Sequence, residues 1–278
     1  MFATGSGADF FRIVDGKTKF ERVQASEMLG KTIKAVEKLF DLKITRASLA
    51  NKARFADLSS EMRAAIDAAQ RYTMTSPERL AVLCMAVEHV VRNDIPGAFV
   101  ECGVWRGGSS MAAALTYRRL KREDVDLYLF DTFEGMSTPG EEDIQSSTGV
   151  AAKQLLAVKD RQAEVWAYAP LEGVRRTMQG TGYPSDRLHF VQGKVEETIP
   201  DCAPEKISIL RLDTDWYEST KHELVHLFPR LSMGGILIID DYGDWQGARK
   251  ATDEYFAENG MSPFLSRIDS TGRVYEKH

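Results

Sequence analysis

From residue 97 onward, the chain alternates short, almost continuously apolar runs with longer amphipathic segments. Apolar, β-branched runs without strict alternation are typical of strands that are buried on both faces of a parallel sheet. The pattern predicts such strands within GAFVECG (97–103), DLYLFD (126–131), RLHFVQG (187–193), KISILRLD (206–213) and GGILIIDD (234–241).

Segments with helical periodicity separate or follow these strands, the clearest being GSSMAAALTYRRLKRE (108–123), WYESTKHELVHLFPRL (216–231) and WQGARKATDEYFAENG (245–260). Strands that alternate with helices predict an α/β fold with a doubly wound, mostly parallel sheet. The end of the chain differs, because SPFLSRI and RVYEK flank the turn DSTG (269–272) with no helix between them. This arrangement predicts an antiparallel C-terminal edge hairpin.

Two regions stand apart from this alternation. Residues 1–80 are mostly helical in pattern, SSEMRAAIDAAQRY (59–72) being the clearest case, and they predict either a separate small domain or a cap on the sheet. The polar segment TFEGMSTPGEEDIQSSTG (132–149) follows a predicted strand and is rich in Gly, Pro and Ser. Loops of that length in compact folds are usually mobile lids or exposed insertions, so we expect one of these two roles.

Composition narrows the class of protein. The chain has 278 residues, 43% of them hydrophobic, and a formal net charge of −5, which does not call for a nucleic-acid partner. No apolar run approaches the ~20 residues of a membrane span, and the N-terminus lacks the pattern of a signal peptide. We therefore expect a cytoplasmic protein with no nucleic-acid and no membrane partner. Its cysteines, Cys84, Cys102 and Cys202, are expected to be reduced thiols.

The segment HELVH (222–226) matches the H-E-x-x-H pattern of zinc metalloproteases. Such a site needs a third ligand, and the metzincin extension fails because Pro229 and Ser232 stand where Gly and His are required. The helix already has another role, since apolar residues recur along one face at the spacing of a helix that packs on a sheet. These residues are Leu224, Leu227, Phe228 and Leu231. We therefore interpret His222 and His226 as a solvated pair.

The loop after the first predicted strand, VECGVWRGGSS (100–110), nearly fits two phosphate-binding motifs. Against G-x-G-x-x-G, Gly103 and Gly108 match, but Trp105 occupies the position of the middle glycine. Against G-x-x-x-x-G-K-[ST], Ser109 replaces the lysine that neutralises phosphate charge. Both motifs therefore lack the group that a phosphate needs most.

A glycine-rich turn remains, preceded by Glu101 and followed by a helix N-terminus. An acid there suits an ammonium group and free backbone N–H groups suit a carboxylate, so an amino-acid-like ligand fits. Asp131 ends the second predicted strand, where an acid commonly accepts hydrogen bonds from ribose hydroxyls. A glycine turn with a ribose acid but no phosphate contacts indicates S-adenosylmethionine. The alternative is a tight turn and a strand-ending aspartate without a ligand.

Paired acids follow the fourth and fifth predicted strands. Asp213 and Asp215 lie in LRLDTDWY, and Asp240 and Asp241 lie in LIIDDYGD. If these strands are neighbours, the carboxylates converge and repel one another unless a cation lies between them, and hard oxygen ligands suit Mg²⁺ or a similar divalent ion. The alternatives are a helix N-cap role for Asp215 and a metal-free acid cluster.

Five segments together resemble one family, the macrocin/mycinamicin-type O-methyltransferases. They are YTMTSPERL (72–80), GAFVECGVWRGGSS (97–110), LFDTFEGM (129–136), LRLDTDWYESTKHEL (210–224) and GGILIIDDYGDWQGARKATDEYF (234–256). The resemblance covers roughly residues 70–260 and implies a class I, Rossmann-like methyltransferase fold with a mostly parallel seven-stranded sheet, for which we expect a domain over 71–278. The helical pattern of the N-terminal region, which carries no motif of the family, leads us to expect an N-terminal helical cap over 1–70. The resemblance also implies S-adenosylmethionine and Mg²⁺ as cofactors, and a sugar hydroxyl of a macrolide or related natural product as the acceptor.

The resemblance assigns roles to particular residues. It implies that Asp213, Asp240 and Asp241 hold the metal. It implies cofactor contacts at Thr75, Ser76, Glu101, Gly103, Gly108, Ser109, Asp131, Gly193 and Lys194. Related catechol-type enzymes use a lysine base three residues after the first metal aspartate, but Trp216 stands there in this chain. Asp213 is therefore the expected catalytic residue, unless metal coordination makes a separate base unnecessary.

The sequence thus predicts transfer of a sulfonium methyl group to a metal-held hydroxyl of a small, glycosylated acceptor. Acceptor choice is expected to depend on residues 1–70 and 132–149. A metal-dependent glycosyltransferase that uses the DTD segment and a non-enzymatic cofactor-binding module are the alternatives. The sequence leaves the oligomeric state open, a homo-oligomer included.

Overall fold

The computed structural model of the protein describes residues 54–157 and 164–278. Most of the predicted N-terminal cap, residues 1–70, lies outside the described residues. Ser59–His278 form one compact unit, which includes the helix predicted within SSEMRAAIDAAQRY. The domain boundary expected at residue 70 stays a prediction.

Two capped helices precede the sheet. Helix α1 (Ser60–Ala69) begins after Ser59, whose side chain accepts a hydrogen bond from the backbone N–H of Met62. Helix α2 (Pro77–Arg92) has Ser76 as its N-cap and proline at its first position, a combination that favours a helix start. Both helices pack against α3 (Gly108–Arg119), the helix that follows the glycine turn.

The sheet contains every strand that the apolar runs predict. Its strands are β1 (Ala98–Cys102), β2 (Leu127–Asp131), β3 (Leu188–Gln192), β4 (Ile207–Leu212), β5 (Leu231–Ile239), β6 (Ser266–Arg267) and β7 (Arg273–Glu276). Their order is β3-β2-β1-β4-β5-β7-β6, and the first five run parallel. The C-terminal hairpin is confirmed: β7 pairs antiparallel with both β5 and β6, so the antiparallel strand lies one position in from the edge. The sequence therefore predicted the fold class correctly.

The remaining helices cover the two faces of the sheet or lie between strands. They are α4 (Ala152–Leu155), α5 (Leu171–Gln179), α6 (Val195–Thr198), α7 (Tyr217–Leu227) and α8 (Gln246–Glu258). The predicted apolar stripe of α7 is buried, and α7 packs against α8. The Nε2–H group of His222 donates to the backbone carbonyl of Ile199. His222 and His226 belong to no candidate metal group among the described residues.

Strand register brings the functional residues to one edge. Cys102 at the end of β1 pairs with Phe130 on one side and with Leu212 on the other, and Leu212 pairs with Ile239. The residues that follow these positions therefore emerge together at the carboxyl ends of the strands. The strand order reverses between β1 and β4, the place where open α/β sheets bind ligands.

Two further sequence expectations concern cysteines and membranes. Cys84 and Cys102 are buried free thiols, and Cys202 is an exposed one. Among the described residues, no helix combines the length and the apolar character that crossing a membrane would require.

Candidate active site

A cavity of about 460 Å³ lies at the carboxyl ends of β1, β2, β4 and β5. This volume falls in the range of pockets that enclose small molecules. Six of the nine predicted cofactor residues line it, namely Thr75, Gly103, Ser109, Asp131, Gly193 and Lys194. The metal-site candidates Asp213, Asp215, Asp240 and Asp241 line it as well. The topology thus joins the two predicted sites in one cleft.

The glycine turn packs directly against the loop after β4. Gly103 has φ +83°, and a Cβ there would overlap the backbone carbonyl of Asp213. Gly108 does not line the cavity, and a Cβ there would lie 2.6 Å from the backbone carbon of Tyr72. Both glycines are therefore required for close backbone packing, whether or not a ligand is bound.

Asp131 ties the glycine turn to the end of β2. One carboxylate oxygen accepts hydrogen bonds from the backbone N–H groups of Val104 (2.7 Å) and Trp105 (2.9 Å), and the other accepts from Phe133 (2.7 Å). Burial raises the pKa of the Asp131 carboxyl, and these three N–H groups oppose the rise because they favour the charged form. The carboxylate has lone pairs left for a ligand in the cavity.

Glu101, expected to contact the cofactor, lies beneath the cavity instead of in its wall. Its side chain is 1% exposed. Arg211 donates to one oxygen at 2.7 Å, and the Ser110 hydroxyl donates to the other. Burial raises the pKa of Glu101, while Arg211 opposes the rise. In this arrangement the carboxylate faces an arginine of the neighbouring strand.

The three carboxyl groups of Asp213, Asp215 and Asp241 each offer an oxygen, and these oxygens lie within 4.8 Å of one another. Burial raises the pKa values of Asp213 and Asp241 well above the usual range, and the neighbouring aspartates add to the rise. Burial also raises the pKa of Asp215 to about 7. Asp215 has φ +68°, a strained conformation for a residue other than glycine, of the kind that concentrates at functional sites.

Asp240, the third metal ligand implied by the family resemblance, lies outside this group. Its carboxylate accepts hydrogen bonds from Arg79, Arg211 and, at 3.3 Å, the hydroxyl of Thr75. Asp240 and Asp241 are adjacent in the bend after β5 but face different partners: Asp240 faces the arginines, and Asp241 faces Asp213 and Asp215. Asp215 is not the N-cap of α7 either: Trp216 occupies the cap position.

Sequence reasoning missed Arg211, which organises the floor of the site. This residue of β4 is 1% exposed and binds the carboxylates of Glu101 (2.7 Å), Asp213 (2.6 Å) and Asp240. The signal was present, because an arginine within the buried run ISILRL must find charged partners inside the protein. Arg79 was missed for a different reason, since its partners are distant in sequence.

Two of the predicted cofactor residues serve neighbouring structure. Ser76 caps α2, and its hydroxyl donates to Asp269 in the C-terminal hairpin at 2.5 Å. Gly108 begins α3 beneath Tyr72. At the opposite side of the cavity, Lys194 is about half exposed. The roles predicted for these residues in cofactor binding stay predictions.

One side of the cavity is apolar. Trp216 and Trp245 are almost fully buried and form an edge-to-face pair with ring centroids 4.9 Å apart. Other apolar residues complete this wall, namely Met136, Leu155, Leu156 and Val165. The cleft therefore joins a charged half to an apolar half.

The polar segment 132–149 borders this apolar wall and is hydrogen-bonded to the rest of the domain at several points, for example from the indole N–H of Trp216 to the carbonyl of Ser137. Asp143, 1% exposed, accepts hydrogen bonds from the backbone N–H groups of Tyr217 (2.8 Å) and Gly140 (2.6 Å). It thereby satisfies the first helical N–H of α7, the role considered for Asp215. Motion of this segment as a lid stays a prediction.

Comparison with known proteins agrees with the geometry. Residues 16–277 match the profile of the family described as macrocin-O-methyltransferase (TylF). The tetracenomycin-C derivative 4′-O-methyltransferase of Streptomyces olivaceus is 36% identical over 207 residues, which cover 74% of this chain and 76% of the relative. Mycinamicin III 3″-O-methyltransferase of Micromonospora griseorubida is 31% identical, with 74% and 78% covered. The structure of the O-methyltransferase NovP has a TM-score of 0.65 at 32% identity, with 74% and 82% covered.

The chain therefore belongs to the macrocin O-methyltransferase family. It is an O-methyltransferase of natural-product biosynthesis. This result confirms the predicted family and the predicted enzyme class. Neither the glycosyltransferase alternative nor the non-enzymatic alternative gains support from the comparisons.

Proposed function

We propose that the enzyme uses S-adenosylmethionine and Mg²⁺ to methylate a hydroxyl group on a sugar of a small natural product. The observation that carries this proposal is the meeting, in one cleft, of a glycine turn tied to Asp131 and a group of three converging carboxylates. Sugar acceptors are proposed because the name of the tetracenomycin relative includes a rhamnosyl substrate.

The methyl donor fits the half of the cleft between β1 and β2. Backbone at Gly103 and Val104, the carboxylate of Asp131, and Gly193 with Lys194 border this half. We assign Asp131 to the ribose hydroxyls, and the turn backbone to the amino-acid portion of the donor. Glu101 then acts through Arg211 and Ser110, which hold it beneath the cavity.

A divalent cation fits the half between β4 and β5 by the chemistry of its donors. Asp213 and Asp241 belong both to the ligand set implied by the family and to the group that converges in the structure. Asp215 completes that group, whereas Asp240 is held by Arg79 and Arg211. The carboxylates repel one another, and a hard dication relieves this repulsion.

S-adenosylmethionine supplies an electrophilic methyl group, and a bound Mg²⁺ ion lowers the pKa of a hydroxyl that it contacts. Asp213 would accept the proton of the acceptor hydroxyl during methyl transfer. Trp216, in the place of the lysine base of related enzymes, forms the apolar wall with Trp245 and keeps water out. The leaving group would be a neutral thioether and Asp213 would hold the released proton, so charge and protons would balance.

The test is methyl transfer across a panel of glycosylated natural products, with product mass read by mass spectrometry. We expect a gain of one methyl group that disappears with EDTA and returns with added Mg²⁺. Transfer that survives exhaustive chelation would remove the cation from the proposal but leave the donor site intact. Isothermal titration with S-adenosylmethionine tests that site separately.

A matched pair of variants tests whether Asp215 or Asp240 is the third Mg²⁺ ligand beside Asp213 and Asp241. Asp215→Asn and Asp240→Asn make the same chemical change on opposite sides of the cluster. The geometry predicts that Asp215→Asn weakens Mg²⁺ binding in titration more than Asp240→Asn does. The reverse order would restore Asp240 to the ligand set implied by the family.

A further inference from the structure

Glu223, the glutamate of the H-E-x-x-H match, is hydrogen-bonded to the loop that carries two of the candidate cation ligands. It lies on α7 and is fully buried, with 0% exposure. Its Oε1 atom accepts a hydrogen bond of 2.9 Å from the hydroxyl of Thr214. Thr214 stands between Asp213 and Asp215, two of the three converging carboxylates. The motif thus has a link to the site that does not involve zinc.

The loop that carries these aspartates is held by backbone hydrogen bonds and by the ion pair between Asp213 and Arg211. The N–H of Asp213 donates to the carbonyl of Cys102 at 2.8 Å, and the N–H of Trp216 donates to the carbonyl of Thr214 at 2.8 Å. Between them, Asp215 adopts a left-handed conformation that costs a non-glycine residue free energy. Such a conformation persists only where surrounding contacts determine it. The hydrogen bond from Thr214 to Glu223 is one side-chain contact of the residue directly before Asp215.

Glu223 is a costly residue to keep at this position. Its Oε2 atom has no hydrogen-bond partner in the part of the chain that the structure describes. An unsatisfied polar atom in the interior destabilises a protein, so its retention calls for a reason. Burial raises the pKa of the Glu223 carboxyl well above its usual range, and the buried Cys102 thiol lies beside it. Glutamine keeps the length of this side chain and an oxygen that can accept the hydrogen bond from Thr214.

We propose that Glu223 is a positioning residue: by holding the Thr214 hydroxyl, it fixes the loop in which Asp213 and Asp215 turn toward Asp241. This inference rests on the proposed cation site and adds a residue of α7 to its support. Partners behind metal ligands commonly change metal affinity by about 10–100-fold when they are removed. We therefore expect the effect on the cation, with little effect on the methyl donor.

Two pairs of variants test the contact from both ends. Thr214→Val removes the hydroxyl at constant shape, and Thr214→Ser keeps it. Glu223→Leu removes the acceptor, and Glu223→Gln keeps it. Glu218→Gln, on the exposed side of the same helix, is the matched control. Isothermal titration measures Mg²⁺ affinity and S-adenosylmethionine affinity for each, and thermal unfolding reports the fold.

We expect Thr214→Val and Glu223→Leu to weaken Mg²⁺ binding about tenfold or more. Thr214→Ser, Glu223→Gln and the control should stay within about threefold of the wild type, and donor affinity should hold throughout. A merely structural role would lower stability and both affinities together. If Glu223→Leu does not fold, Thr214→Val carries the test.

The outcomes separate this inference from the proposed function. Equal Mg²⁺ affinities of Thr214→Val and the wild type would overturn the positioning role of Glu223. The proposed cation site would not be affected by that result. A wild type that binds no Mg²⁺ would overturn both. Loss of affinity in Thr214→Ser together with normal affinity in Thr214→Val would show that bulk at this position matters and the hydroxyl does not, which would also overturn the inference.

Discussion

Asp131 and Asp213 occupy equivalent places on two strands of the sheet, but their charges are balanced in different ways. Asp131 accepts three backbone N–H groups, so the fold itself satisfies its carboxylate. Asp213 has the guanidinium of Arg211 at 2.6 Å but also faces Asp215 and Asp241. The Asp131 carboxylate is hydrogen-bonded without a bound ion. The carboxylates around Asp213 carry excess negative charge, and a bound cation would reduce their repulsion.

This difference teaches that residue type and topological position do not determine the chemistry of a strand end. What differs is the supply of donors around each carboxylate. The turn after β1 points its N–H groups at Asp131, and the loop after β4 brings further acids to Asp213. We therefore expect substitutions in the first region to affect donor binding, and substitutions in the second to affect turnover and stability.

The largest effect should come from Asp213→Asn, which keeps the shape of the side chain but removes its charge and its capacity to accept a proton. We expect turnover to fall about 10³-fold, in the range of a lost general base. Affinity for S-adenosylmethionine should change by less than about threefold, since Asp131 is untouched. Single-turnover methyl transfer and titration measure the two quantities. Turnover within about twofold of the wild type would end the catalytic role of Asp213.

Arg211→Met should produce the next largest change, because it leaves the carboxylates of Glu101, Asp213 and Asp240 without their shared buried cation. Removing one partner of a buried ion pair costs about 3–5 kcal/mol. Urea unfolding at neutral pH measures the loss. Arg249→Met, at an exposed position, should stay within about 0.5 kcal/mol. Equal stabilities of the two variants would show that the carboxylates are balanced in another way.

Asp131→Ala should have a smaller, selective effect on the donor half of the cleft. It removes the acceptor for the turn N–H groups and the proposed contact to ribose. We expect S-adenosylmethionine affinity to fall about thirtyfold, or about 2 kcal/mol. Mg²⁺ affinity should be unchanged, and titration with each ligand checks both. Weakened Mg²⁺ binding with normal donor binding would reverse our assignment of the two halves.

The smallest effect should appear at Asp269, which supports the cation side through Arg79. Its carboxylate accepts hydrogen bonds from Ser76 and from the backbone of Thr271 and Gly272, and it pairs with Arg79. Although partial burial opposes the effect, these donors lower the pKa of Asp269 to about 2 from its ordinary 3.8. The charged form is therefore stabilised by folding, fully above about pH 4, and this stability is lost as pH falls through about 2.

Asp269→Asn should accordingly lower the unfolding free energy at neutral pH by about 1 kcal/mol, a value reduced for the partial exposure of the side chain. The difference from the wild type should shrink as the pH approaches 2. Denaturant unfolding at several pH values gives the profile. A difference that is constant down to pH 2 would assign the effect to lost packing and not to charge.

The fold was readable from the sequence because its signals are local. Continuous apolar runs such as ISILRL mark strands buried on both faces, and the DSTG turn without a neighbouring helix marks the hairpin. The meeting of the two sites was also predictable, because parallel strands end at the same edge. In each case the inference needed only the period of the pattern and the topology.

The hydrogen-bond and ion-pair partners of individual carboxylates could not be predicted from local sequence patterns. Which of Asp240 and Asp241 faces the cluster depends on the strand register and on an arginine far away in sequence, Arg79. The left-handed backbone of Asp215 turns its side chain toward Asp213, and no local pattern announces that conformation. Glu101 looked like a ligand-binding acid because its strand partner, Arg211, becomes visible only once β1 pairs with β4.

The contact between Gly103 and the carbonyl of Asp213 sets the separation between the donor loop and the acidic loop by backbone alone. Because glycine has no side chain and its partner is a backbone carbonyl, no side-chain substitution at this contact can adjust the distance between the two loops. If the proposed sites are right, changes in the apolar wall around Trp216 and Trp245 would alter the space beside the two loops without changing the distance between them.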